Sequence, residues 1–126
     1  MQGEAILDGL KREIFEESGI IAKPENIVGI YQRLSPKAGY GPLEGMLLPP
    51  TVNLTFVCKY EGGKETISDE SIEVNWFSLH EAKEKITDLY IKKAVEDMIG
   101  FDGRQFFVTF KQNNDGIIDF ISSIRV

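Results

Sequence analysis

The string Arg-Glu-Ile-Phe-Glu-Glu-Ser-Gly-Ile at residues 12–20 constrains the fold of this chain more than any other feature. Side chains three and four residues apart are neighbours on a helix surface, so Glu13, Glu16 and Glu17 lie along one side of a predicted helix. Carboxylates held this closely repel one another unless a counter-charge is present. A divalent cation is the simplest such counter-charge. We therefore predict a metal-binding helix near the N-terminus.

The predicted helix spans residues 4–18 and has signals at both ends. Glu4 lies in the first turn, where the helix dipole favours an anion. Gly19 follows the last turn and is suited to a left-handed C-cap. Gly9 costs about 1 kcal/mol of helix propensity relative to alanine, unless it serves close backbone packing. Apolar residues recur at helical spacing and form one stripe: Ile6, Leu7, Leu10 and Ile14.

Downstream of this helix, apolar runs between turn residues predict strands. The predicted strands are residues 26–34, 51–60 and 72–78. The last of them rests on the alternation of Ile72, Val74 and Trp76. Residues 35–50 are rich in glycine and proline and predict a long loop of the kind that is often functional.

Two helices and a hairpin complete the predicted order of elements. The first helix runs from a capping-box pattern at Ser78 to Ile86, and the second starts at Thr87 or Asp88 and ends near Gly100. Apolar runs at residues 104–111 and 117–124 then flank Asn-Asn-Asp-Gly, a strong hairpin signal. The order α-β-β-β-α-α-β-β predicts an α/β layered domain with a mixed or antiparallel sheet.

Composition and charge narrow the class of protein. A chain of 126 residues has the size of one domain, and 42% hydrophobic residues suffice for a packed core. The net charge of -6 disfavours broad binding to nucleic acid, which needs clustered Lys and Arg. An acidic protein that acts on a phosphate ester needs cations at its site, in agreement with the carboxylate cluster.

The cysteine count and the hydropathy pattern bear on the compartment. Cys58 is the only cysteine, so an internal disulfide is excluded, and its apolar neighbours favour core packing over reactivity. No apolar stretch approaches the roughly 20 residues needed to cross a bilayer. No basic segment followed by an apolar run indicates a signal peptide. We therefore expect a cytoplasmic protein.

The acidic string resembles the box of the Nudix hydrolase family. With U for a bulky apolar residue, that box reads G-x5-E-x7-R-E-U-x-E-E-x-G-U, and every defined position from its first E onward matches this chain. The matching residues are Glu4, Arg12, Glu13, Ile14, Glu16, Glu17, Gly19 and Ile20. The opening glycine of the box would fall before Met1. Residues 68–79 also resemble the family, since an acidic loop precedes Trp-Phe-Ser-Leu. Together the matches span roughly residues 3–100.

The strand and the Gly-Gly turn that precede the box in the family are absent here. We expect that the chain starts inside the domain; a domain that does without these strands is the alternative. A shortened sheet exposes strand edges, which proteins normally cover or pair. Either of two elements would cover these edges: the C-terminal segment, or a second copy of the chain in a homodimer.

The resemblance implies a fold and a reaction. The fold is a Nudix-like α/β/α sandwich with a mixed sheet, truncated at its N-terminus, forming one domain over residues 1–126 with a C-terminal β-hairpin in residues 101–126. The reaction is metal-dependent hydrolysis of the pyrophosphate bond of a nucleoside diphosphate linked to another group X. The partner is then a nucleotide-like small molecule, and neither nucleic acid nor a membrane. The alternative is a non-catalytic Nudix-fold module that binds a nucleotide-like ligand or a partner protein.

The resemblance also assigns roles to the box residues. Glu13, Glu16 and Glu17 would hold Mg²⁺ or Mn²⁺, which prefer oxygen ligands. Arg12 would orient the neighbouring glutamate. Glu4 would support the metal site, although it also fits as a partner of the helix dipole.

Further candidates lie outside the box. Glu70 or Glu73 would supply the additional acid that many family members use as a metal ligand or a base, with a solvated surface role as the alternative. Tyr31, Arg33 and Tyr40 flank or lie in the Gly/Pro-rich loop. They would stack on a base or hold a phosphate, or else serve packing.

Overall fold

The helices and strands follow one another in an α/β order. The computed structural model describes residues 3–39, 41–113, 115 and 117–126. Its elements are α1 (Ile6–Ser18), β1 (Ile20–Arg33), β2 (Lys37–Ala38), a 3-10 turn (Gly41–Leu43), β3 (Leu47–Leu48), β4 (Thr51–Gly63), α2 (Leu79–Lys85), α3 (Leu89–Ile99), β5 (Phe106–Gln112) and β6 (Ile118–Arg125).

The main sheet is mixed and has the strand order β4-β1-β5-β6. Strands β1 and β5 run parallel, with Gly29 opposite Phe106, and the chain between them contains both α2 and α3. Parallel neighbours need such a crossover. Strands β5 and β6 form an antiparallel hairpin with a bulge at Thr109/Phe110. The prediction of an α/β fold with a mixed sheet and a C-terminal hairpin is therefore confirmed.

The chain divides into two compact units, Met1–Asn26 with Phe56–Ser78 and Ile27–Thr55 with Leu79–Val126. The first unit contains α1 and the irregular segment 64–78. The second contains α2, α3, β5 and β6. That the chain functions as a single domain stays a prediction.

The second unit has an aromatic and aliphatic core. Its fully buried side chains are Val28, Tyr31, Val108 and Phe110. The ring of Tyr90 on α3 stacks on Phe110 with the centroids 5.4 Å apart. The Tyr31 hydroxyl donates to Oδ2 of the buried Asp97 at 2.9 Å, and Asp97 also pairs with Lys93. Burial raises the pKa of Tyr31 above its ordinary value, so the hydroxyl stays protonated and can donate.

Local signals located several element ends correctly. Gly19 caps α1 with a φ of 79°, as predicted. Asp88 caps α3 by accepting from the backbone N–H groups of Tyr90 and Ile91, which confirms that helix start. The first strand begins earlier than predicted, at Ile20, and the predicted loop contains the small β2/β3 hairpin. In the C-terminal hairpin the turn residues Asn114 and Gly116 lie outside the described residues.

The predicted strand at residues 72–78 is wrong. Within the described part of the chain, this stretch belongs to no helix or strand. The alternation of Ile72, Val74 and Trp76 does not mark a buried face, since the Ile72 side chain is 95% exposed. Trp76 instead donates its indole N–H to Glu65 and meets the Tyr60 ring edge-on. A strand needs a neighbouring backbone as well as a pattern, and no strand among the described residues pairs with this stretch.

Candidate active site

The C-terminal end of α1 is fastened to the start of the irregular segment. Gly19 donates its N–H to the carbonyl of Phe15 at 2.8 Å, and Thr66 donates its own to the carbonyl of Ser18 at 2.8 Å. Gly19 and Gly63 both have positive φ. An added Cβ on Gly19 would collide with the carbonyl oxygen of Lys64, and one on Gly63 would collide with the carbonyl oxygen of Gly19. Only glycine adopts this conformation without strain. The helix end and the first residues of segment 64–78 therefore have a fixed relation.

Arg12 holds the box carboxylates in place. Its Nε lies 3.1 and 3.0 Å from the two carboxylate oxygens of Glu4. Its Nη1 lies 2.8 Å from Oε2 of Glu16, and its Nη2 lies 3.7 Å from Oε1 of Glu13. The planar guanidinium offers five donors in a fixed fork, so it can serve several carboxylates at once. The orienting role of Arg12 stays a prediction, and these contacts are the ones on which it would depend.

Glu4 is drawn towards the helix by this arginine. The hydrogen bond from Arg12 lowers the pKa of Glu4, and the same bond raises the pKa of Arg12. Gly9 faces the Glu4 carboxylate, because a Cβ there would lie 3.2 Å from Oε1 of Glu4. The missing side chain at Gly9 therefore leaves room for the pair. The contact between Arg12 and Glu4 is therefore a structural reason for having glycine, a weak helix former, at residue 9.

Glu17 meets a second carboxyl group across the site. It shares a hydrogen bond with Glu70, and this bond is the main cause of a raised pKa at Glu17. The negative charges of Glu70, Glu13 and Glu16 raise the pKa of Glu17 further. Two negatively charged carboxylates repel each other at short range unless a positive charge lies between them. The pair is thus a place where positive charge is favoured.

An acidic cavity surrounds this pair. It has a volume of about 170 Å³ and is lined by Glu16, Glu17, Ser68, Asp69 and Glu70. The backbone N–H of Glu70 bonds to Oγ of Ser68 at 3.2 Å, and Ser68 and Ser71 exchange backbone hydrogen bonds. These bonds shape the segment that presents Glu70 to Glu17.

The donor set suits a hard divalent cation. The acids that line the cavity offer only carboxylate oxygens, the ligands that Mg²⁺ and Mn²⁺ prefer. As the side chains stand, no three His, Cys, Asp or Glu groups in the described part of the chain are gathered closely enough to hold a metal ion. Arg12 accounts for part of this, because it holds Glu16 and lies beside Glu13. Of the predicted ligands, Glu16 and Glu17 line the cavity, and Asp69 and Glu70 lie there with them.

The predicted site residues fall into two groups. Arg12 gathers Glu4, Glu13 and Glu16, and Glu17 joins Glu70. The structure places Glu73 elsewhere: its Oε1 accepts from Nδ2 of Asn75 at 2.7 Å, and it does not line the acidic cavity. Asp69 does line the cavity. Its position next to Glu70 in the acidic loop is the only sequence signal for it.

The aromatic and basic candidates near the Gly/Pro-rich loop have other contacts. Tyr31 is fully buried and belongs to the core of the second unit. Arg33 is also buried and donates to the carbonyls of Ser35 and Pro49, at 3.1 and 2.8 Å. It therefore closes the base of the loop. Tyr40 lies outside the described residues.

Comparisons with known proteins identify the family of this chain. The family model of the NUDIX domain matches residues 1–98. The chain therefore belongs to the Nudix family, and it has the mixed sheet and helices of that fold. No helix in the described ranges has the length and apolar character needed to span a membrane.

Two relatives carry the name MutT. The chain is 29% identical over 92 residues to a "MutT-like protein" of Streptomyces ambofaciens, a match that covers 73% of this chain and 51% of the relative. The chain thus spans about half the length of that relative. The crystal structure of the mutator MutT protein from Bacillus halodurans superposes with a TM-score of 0.70 at 25% identity. That match covers 99% of this chain and 76% of the other.

Proposed function

We propose that the chain is a metal-dependent hydrolase of the pyrophosphate bond in a nucleoside diphosphate linked to another group X. The observation that carries this proposal is the acidic cavity lined by Glu16, Glu17, Asp69 and Glu70, beside the Arg12 cluster. Membership of the Nudix family supports it. The substrate is a nucleotide-like small molecule: a nucleoside triphosphate, a sugar nucleotide, a dinucleotide or ADP-ribose.

The side chains divide the work of this reaction. Mg²⁺ or Mn²⁺, when bound there, would offset the negative charge of the phosphates and lower the pKa of the attacking water. Glu13, Glu16 and Glu17 are the ligands we propose, and Arg12 would orient Glu16 through its hydrogen bond. A carboxylate without a proton accepts a proton from the attacking water, and we assign that role to Glu70.

The bond changes follow from this assignment. The water oxygen attacks one phosphorus atom, and the bond from that phosphorus to the bridging oxygen breaks. The products are a nucleoside monophosphate and X-phosphate. Glu4 takes no part in these steps. It holds Arg12 from the other side through both carboxylate oxygens, so it acts as a positioning residue.

The test is turnover on a panel of nucleoside diphosphate derivatives with Mg²⁺ and with Mn²⁺. We expect Glu17→Gln to lower turnover at least 100-fold, because one metal ligand loses its charge. Glu61→Gln is the matched control, since Glu61 is an exposed glutamate on β4 away from the cavity. Equal turnover in wild type and in the Gln variants of Glu13, Glu16 and Glu17 would refute the catalytic assignment.

One observation favours the second candidate function, a non-catalytic module that binds a nucleotide-like ligand or a partner protein. As the side chains stand, the described residues contain no ready-made cluster of three metal ligands. Calorimetric titration with ADP separates the two functions. A binding module takes up ADP without Mg²⁺ and with unchanged affinity in the Glu17→Gln variant, whereas the hydrolase needs the cation.

A further inference from the structure

A second and larger cavity adjoins the acidic one. Its volume is about 410 Å³, and its walls include Phe15, Glu16, Lys64, Thr66 and Ile67. Glu16 lines both cavities. Sites for small molecules commonly have volumes of about 300–1,000 Å³, so this cavity has room for a ring system. A molecule bound at the acidic cavity can therefore extend past Glu16 into the larger one.

The walls of the larger cavity combine apolar and polar groups. Phe15 is 53% exposed and Ile67 is 65% exposed, so both present apolar surface to whatever lies there. The Thr66 hydroxyl donates to the carbonyl of Lys64 at 2.8 Å, which leaves its oxygen lone pairs as acceptors. The Lys64 ammonium forms no ion pair with a side chain in the described ranges.

We propose that this cavity, lined by Phe15, Lys64, Thr66 and Ile67, is a subsite for one nucleobase of the substrate. The inference rests on the proposed function, because it places the diphosphate at the acidic cavity. A planar heteroaromatic ring stacks on Phe15 and covers the Ile67 side chain. The exocyclic amino group of the ring donates to Thr66, and the Lys64 ammonium pairs with a phosphate.

The same walls disfavour two other kinds of group. A bare sugar would leave the apolar surface of Phe15 and Ile67 against water, and this surface is what a ring would bury. A long aliphatic chain would bury that surface but would give the Lys64 ammonium no anion and the Thr66 hydroxyl no donor. A flat ring that carries an amino group and a phosphate satisfies all four side chains.

The first test compares the binding of AMP and ribose 5-phosphate to the full chain in the presence of Mg²⁺, by calorimetric titration. The two probes differ only in the base. We expect AMP to bind about tenfold more tightly, because base–aromatic stacking supplies this much or more. Equal affinity for the two probes, or no binding of either, overturns the proposal.

Variants then assign the preference to the cavity walls. Phe15→Leu should remove the preference for AMP, and Ile67→Ser, on an exposed loop position, should reduce it a few-fold. Lys64→Gln should weaken the binding of both probes equally, since both carry a phosphate. Phe120→Leu is the matched control, because Phe120 is a partly exposed phenylalanine on β6. Circular dichroism checks that each variant is folded.

The outcome is separable from that of the proposed function. A preference for AMP that depends on Phe15, in a protein without turnover, leaves the subsite standing and removes the hydrolase. Turnover that depends on Glu17, with an unchanged preference for AMP in Phe15→Leu, leaves the hydrolase standing and removes the subsite.

Discussion

Gly19 and Gly63 meet backbone to backbone, each at a positive φ and each with no space for a Cβ. Gly19 ends the helix that carries the box glutamates, and Gly63 ends β4 just before the segment that carries Glu70. The contact therefore sets the distance between the two halves of the candidate site. This relation makes the glycine of the box a structural requirement as well as a helix cap.

Gly19→Ala should lower the free energy of unfolding by about 2–4 kcal/mol, since a strained φ adds to a backbone collision. Chemical denaturation measures this change. Gly103→Ala is the matched control, because Gly103 also has a positive φ but has no atom near its missing Cβ. It should cost about 1–2 kcal/mol from strain alone. Equal losses in the two variants would contradict the close contact at Gly19.

Arg12→Lys should lower turnover at least tenfold while the melting temperature changes little. Lysine keeps the charge but cannot reach Glu4 and Glu16 together, so the Glu16 carboxylate loses its fixed orientation. The ion pairs are partly exposed and contribute little to stability. Kinetics and thermal melting on one preparation check both statements. Arg104→Lys, at a surface ion pair, serves as the control and should leave turnover unchanged.

Glu70→Gln and Glu73→Gln separate the two acids of the loop. In the wild type, Mg²⁺ should raise the melting temperature, because a cation that binds only the folded state stabilises it. Glu70→Gln should reduce this increase, since it removes a negative charge from the acidic cavity that would hold the cation. Glu73→Gln should retain it, because Glu73 bonds to Asn75 outside the cavity. The reverse result would place the additional acid at Glu73.

Asp102→Asn should lower the free energy of unfolding near neutral pH, and this effect should disappear in acid. The hydrogen bond from Arg104 lowers the pKa of Asp102 from its ordinary 3.8 to about 2, and Arg125 adds a contact at 2.8 Å. A depressed pKa means that the stabilisation is fully present above pH 4 and disappears as the pH falls towards 2. Unfolding curves of wild type and variant should therefore differ at pH 6 and approach one another as the pH falls towards 2. A constant difference would show that packing rather than charge is responsible.

The parts of the fold that were predictable from sequence depend on neighbours along the chain. The cap at Gly19, the cap at Asp88 and the hairpin of β5 and β6 each follow from a few adjacent residues. The strand prediction for residues 72–78 failed because alternation says nothing about whether a partner strand is near. The Trp76 indole bonds to Glu65, eleven residues earlier, and no local pattern encodes that contact.

The candidate site likewise has one part that was predictable from sequence and one part that was not. Arg12, Glu13, Glu16 and Glu17 lie on one helix, so their spacing alone brings them together. Glu70 reaches Glu17 only because the chain returns along β4 and its backbone bonds to the end of α1 at Ser18. For this reason the sequence did not separate Glu70 from Glu73.

Segment 64–78 belongs to no helix or strand within the described residues, yet it supplies Asp69 and Glu70 to the acidic cavity and Lys64, Thr66 and Ile67 to the neighbouring one. Irregular segments tolerate insertions and deletions far better than helices and strands, because lengthening them costs little loop entropy. The helix half of the site is fixed by its spacing, whereas the other half is free to vary in length. We expect lineages of this protein to diverge in their preferred nucleotide mainly by indels in this one segment.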